Sequence, residues 1–192
     1  MFTVNALLFA TVLTANGISG NMAAMVGHDR VTATYPGFHL VNGDSTALAA
    51  NGTDRKMPNG YGRQDAIVIR KVATLAANQA SAFDLNDAQL IATKYEDREG
   101  SHQTVQLHPF ISQAKIAVCG HPAFGFSRTE HITMPIYDAP SISWADFDTF
   151  VVALVGRDVW QAEYTRLYTP SLEEEATSLI TFTSKFCVQQ GY

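Results

Sequence analysis

The sequence predicts an α+β fold, an antiparallel sheet opened by an N-terminal hairpin and followed by two C-terminal helices. Three observations point there. "VTATYPGFHLVNGDSTALA" reads as two strands around Asn42-Gly43, a strong short hairpin signal. Val105 and Leu107, and later Ile132, Met134 and Ile136, alternate with polar residues, the period-two pattern of a half-buried strand. Phe147, Phe150, Val151 and Leu154 fall at i, i+3, i+4 and i+7, which marks one apolar helical stripe.

Taken in order, residues 1–30 form an N-terminal extension with no assigned role. Its apolar run "NALLFATVLTA" has no Lys or Arg before Arg30, so it reads as a structured segment rather than a secretory signal. Asn5, Asn16, Gly17, Gly20 and Asn21 interrupt it too often for a membrane span, which needs about 20 apolar residues. Residues 31–138 are assigned to the sheet. "DAIVIRKVAT" is strand-like, and "LNDAQLIATKYE" leads toward a further strand. A Gly100-Ser101 turn joins two extended arms, and a small-residue loop, "AVCGHPAFGFS", precedes the strand "TEHITMPIYDA". Pro135 lacks an N–H and suits a break in the ladder.

The helices are expected at 143–156 and 171–189. Ser143 with Asp146 resembles a capping box, and Gly156 is placed to stop the first helix. A linker, 157–170, follows. Thr169-Pro170-Ser171 opens the second helix, with Glu173, Glu174 and Glu175 at its positive end. Leu172, Ala176, Leu179 and Phe186 form its stripe. With about two to four residues between strand and helix, folding back over the same sheet is tight. Covering the sheet of a second copy is the open alternative.

Eighteen acids against thirteen bases give a charge of −5, which disfavours non-specific adhesion to nucleic acid or acidic membranes. Two cysteines, Cys119 and Cys187, are too few for a disulfide framework; a single bridge, within or between chains, stays open. His102, His108, His121 and His131 show neither i, i+4 helical spacing nor a tight Cys/His pattern, so no metal and no cofactor is expected.

"TEHITMPIYDAPSISWADFDTFVVALVG", with its Thr133-Met134-Pro135-Ile136 core, resembles the last strand and first helix of the coat proteins of single-stranded RNA bacteriophages. "ATKYEDREGSHQTVQL" resembles the hairpin before it, and "AVCGHPAFGFS" the loop that lines holes in the shell. The resemblance implies a non-catalytic structural protein, 31–192, whose helices clasp a partner's sheet in an intertwined homodimer. Phe147, Phe150, Val151 and Leu154 would form that interface, and Cys119, His121 and Pro122 an inter-subunit loop. Dimers would assemble into an icosahedral virion in the bacterial cytoplasm, around a single-stranded RNA genome. The polar strand face would then bind RNA: Lys94 on the backbone, with Thr104, Gln106, Thr129, His131 and Thr133 beside it, Thr and Gln reading unstacked bases.

Two other readings stand beside it. Cys119-Gly120-His121-Pro122 resembles a motif near a catalytic residue of the diaminopimelate-epimerase fold, which implies a small isomerase. The apolar N-terminus suits an extracytoplasmic binding module.

Overall fold

Alternation of side chains, not helical periodicity, organises residues 104–136 and 139–167. The computed structural model describes residues 20–43, 45–56, 62–94, 104–136 and 139–191. The apolar N-terminal run and the Gly100-Ser101 turn lie outside them.

A small sheet is built from β1 (Asn21–Val26), β2 (Asp29–Thr34) and β11 (Phe186–Gln189), in the order β1-β2-β11. Residues 21–30, assigned above to the extension, thus contribute to it. The large sheet comprises β3 (His39–Gly43), β4 (Ala47–Lys56), β5 (Gly62–Thr74), β6 (Thr104–Leu107), β7 (Ser112–Val118), β8 (His121–Ile136), β9 (Ala139–Val155) and β10 (Asp158–Leu167). Its order is β3-β4-β5-β10-β9-β8-β6, with β7 also pairing β8. Three helices complete the described chain: α1 (Ala77–Ser81), α2 (Leu85–Lys94) and α3 (Ser171–Thr183).

The expected helix at 143–156 is instead most of β9. Helical and strand periods both accommodate "WADFDTFVVALV", and the β-branched and aromatic content favours the strand. Phe147 and Val151 point to one face of the sheet, Phe150 and Leu154 to the other, and all four are buried in the core of their own chain. They are therefore not a dimer seam. Gly156, at φ 63°, opens a two-residue hairpin rather than capping a helix, because Val155 pairs Asp158. The expected linker is β10, paired with both β9 and β5.

Helix α3 begins where expected, with Glu173 and Glu174 in its first turn, and stops at Thr183 rather than 189. Phe186 belongs to β11, not to the helical stripe. The strand expected near residue 90 is partly helix: Asp84 accepts from the backbone N–H groups of Asn86 and Asp87 at 2.8 and 3.0 Å and starts α2. Two expectations hold in place: β5 contains "DAIVIRKVAT", and the β8–β9 register shifts at Pro135. The expected hairpin is displaced: Asn42 and Gly43 are paired residues of β3, opposite Ala49 and Leu48 of β4, and the "VTAT" segment belongs to β2 of the small sheet.

Both faces of the large sheet are covered. Ile67, Ile69, Val151, Trp160 and Ala162 pack under α3 and the small sheet. Phe124, Phe126, Phe150, Val152 and Leu154 pack with Ala88 and Ala92 of α2. A side chain at Gly125 of β8 would enter the space of Ile180 on α3. Gly125→Ala should therefore cost about 1–3 kcal/mol by overpacking. Thermal melts should show Ile180→Ala recovering part of that loss in the double variant, a non-additivity that independent sites would not give.

Candidate functional site

Charged residues recur at every second position of the three central strands. They are Arg128 and Glu130 on β8, Asp146 and Asp148 on β9, and Glu163 on β10, with Gln161 and Thr165 beside it. The register places Arg128 opposite Asp148 and Asp148 opposite Thr165, and Glu130 opposite Asp146. Direct cross-strand partners share a face. This is the face on which Phe150 packs against α2, so the polar cluster continues an apolar one.

Burial makes the cluster costly. Asp146, Asp148 and Gln161 are 0% exposed, and Arg128 and Glu130 only 3%. Most of the charge is paired. Arg128 donates to Glu130 at 2.9 Å, Arg63 to Asp146 at 2.5 Å, and Arg70 to Glu163 at 3.2 Å. The Arg128 guanidinium also lies 5.5 Å from the rings of both Phe110 and Phe150. Two groups differ. Neither amide atom of Gln161 has a hydrogen-bond partner among the described residues, and the Asp148 carboxyl has no more than a weak contact with the Thr165 hydroxyl opposite it.

Burial pushes the Asp148 carboxyl well above the usual carboxylate range. The carboxylates of Glu130, Glu163 and Asp146 push it further, and the Thr165 hydroxyl opposes them only in part. The ionised form of Asp148 is therefore disfavoured beside three other acids. Glu163 is the approach from solvent: its side chain is 15% exposed and that of Arg70 is 29% exposed. Half-buried Ala47, Ala49, Ala66 and Val68 extend the same face over β4 and β5.

The residues singled out from the sequence lie elsewhere. Gln106 faces His131, and Thr104 pairs Thr133, between β6 and β8. Thr129 and Thr133 alternate onto the face of His131, as period two requires, but Thr129 is buried, and Thr133 meets Ser143 at 3.0 Å. Lys94 ends α2 and is not a strand residue. Cys119 and Gly120, at φ 47° and 82°, form the tight β7–β8 turn, and His121 and Pro122 begin β8. Cys119 is bonded to Cys187 on β11, so the thiol of the isomerase reading is not free. The buried cluster was missed because "SWADFDTF" was read with a helical period. Its signal was present: charges at i and i+2 within an apolar strand.

No family model matches the sequence, and no curated protein matches it. Among solved structures, the chain is similar to a point mutant of the protein Mog1, at 11% identity and a TM-score of 0.51. The match covers 88% of this chain and 96% of that one. A second match is the Ran-binding protein Mog1p of Saccharomyces cerevisiae, at 11% identity and a TM-score of 0.48, covering 88% of this chain and 95% of that one. The coat-protein resemblance is overturned. The segment that carried it is β9, and its expected helix stripe is the chain's own core. With it fall the clasped homodimer, the icosahedral virion and its RNA genome. The same findings lend no support to the extracytoplasmic module. At 11% identity, what the likeness shows is the fold: this chain has a Mog1-like fold.

Proposed function

We propose that the chain is a non-catalytic binding domain that receives a basic group of a protein partner at the Glu163–Asp148 end of this sheet face. The observation that carries the reading is Asp148, fully enclosed, its carboxyl contacted weakly by the Thr165 hydroxyl and otherwise poorly satisfied. An unsatisfied buried polar group costs about 1–3 kcal/mol. A cost of that kind, lodged beside a rigid array of paired charges, is characteristic of a recognition site kept at the expense of stability. With the Asp148 carboxylate disfavoured, Glu130, Asp146 and Glu163 balance Arg63, Arg70 and Arg128, and an incoming cation would favour the ionised form of Asp148 and pair with it.

Asp148→Asn tests this by two readouts. The raised carboxyl contributes stability that is fully present below its unfolded value of 3.8 and lost as pH rises through the folded value. The amide does not titrate, so the variant should melt higher than wild type at pH 7, with a smaller gain at pH 4. In fluorescence anisotropy with Lys/Arg-rich peptides, wild type should bind saturably and Asp148→Asn about tenfold more weakly, with acidic peptides left unbound by both. Equal retention of basic and acidic peptides would sink the reading.

A further inference from the structure

On the opposite face of the same sheet, two histidines meet. His131 lies on β8 opposite Gln106 of β6. His108 follows β6 directly, and its backbone N–H still donates to the Thr129 carbonyl at 3.2 Å, which fixes its position beside β8. His108 Nε2 and His131 Nδ1 are 2.7 Å apart, with ring centroids separated by 4.8 Å and planes inclined at 65°. His131 is exposed and His108 half-buried. The residues are 23 apart in sequence, so no local spacing rule would pair them.

We propose that His108 and His131 form a two-histidine site for a divalent late first-row transition metal, with Cu²⁺ bound most tightly. In the free protein one of the facing nitrogens donates its proton to the other. A neutral imidazole carries that proton on either ring nitrogen. Moving it to the outward nitrogen leaves a lone pair on each of the two facing nitrogens, with no net change in protons. Imidazole is a ligand suited to copper, nickel and zinc.

The spacing selects among these ions. Metal–nitrogen bonds of about 2.0–2.1 Å put two ligands about 3.3 Å apart in a tetrahedron and about 2.9 Å apart at a right angle. The right-angle arrangement of tetragonal Cu²⁺ or Ni²⁺ therefore needs the rings to part by only a few tenths of an ångström and to tilt so that both lone pairs meet at the ion. The tetrahedral arrangement of Zn²⁺ needs more. The affinity order of first-row ions also favours Cu²⁺. Among the described residues no group of three or more His, Cys, Asp and Glu side chains is arranged to hold a metal ion. The remaining coordination positions would therefore be filled from solvent or by an external ligand, and exposed Gln106 stands next to them.

The test is calorimetric titration of the full chain with Cu²⁺, Ni²⁺ and Zn²⁺. Wild type should show one saturable site, tightest for Cu²⁺. His108→Ala and His131→Ala should each weaken it at least about tenfold, whereas His39→Ala, on the far edge strand β3, should leave it unchanged. Metal-free melts of the variants establish that each is folded, and nitrogen hyperfine coupling in the Cu²⁺ spectrum should report two imidazoles. Absence of a saturable site, or a site that survives either substitution in a folded variant, overturns the proposal.

Discussion

Breaking the Cys119–Cys187 bridge should lower the stability by about 4 kcal/mol, the chain-entropy value for a cross-link that closes 68 residues. The melting temperature of a chain this size should then fall by about 10 °C. The bond joins the β7–β8 turn of the large sheet to β11 of the small one. Its Cα–Cα separation of 5.5 Å is ordinary for a disulfide. β11 is short and held by four pairs with β2, from Phe186↔Ala33 to Gln189↔Arg30. Without the bond, that strand should be the first to open. Cys119→Ser, Cys187→Ser and the double variant should melt together, and a reductant should bring wild type to the same temperature. If reductant leaves the wild-type melt unmoved, the sulfurs are not bonded to each other.

Phe150→Ala should cost about 3–5 kcal/mol, the range for truncating a buried aromatic ring. Phe150 is fully buried in β9, directly opposite Phe126, and its ring is one of two beside the Arg128 guanidinium. The substitution leaves a cavity under α2 and also removes an aromatic face from a charge that is only 3% exposed. Leu90→Ala, on α2 but 70% exposed, should change stability by no more than about 0.5 kcal/mol. The loss at Phe150 should not depend on protein concentration. A residue clasping a second subunit would show such dependence, because dissociation would then be part of unfolding. Melts across a hundredfold concentration range separate the two.

Period-two alternation around Val105 and Ile132, the strand nature of residues 66–74 and the start of α3 at Ser171 were all legible locally. Each is carried by a few neighbouring residues whose preferences agree. Residues 143–156 show where local reading fails. Their apolar positions satisfy i, i+3, i+4 and i+7, and they also satisfy a strand buried on both faces, where nearly every residue is apolar. Only the partners decide between the two, and β9 has β8 on one side and β10 on the other over most of its length. The site was hidden for the same reason. Once 143–156 is taken as a helix, Asp146 and Asp148 fall on separate faces, and their pairing with Glu130 and Arg128 disappears.

By itself, the sequence determined where apolar and polar side chains alternate, that the chain breaks its regular element at Gly156, and that two cysteines could form at most one bridge within the chain. The tertiary structure decided the rest: that β10 exists and lies between β5 and β9, that Cys119 meets Cys187, that Asp148 is buried among acids, and that His108 touches His131. The reason is physical. Turn geometry and periodicity depend on residues within a few positions of one another. Strand pairing, pKa shifts and side-chain contacts depend on groups tens of residues apart, whose proximity is set by which arrangement buries the most apolar surface while pairing the backbone.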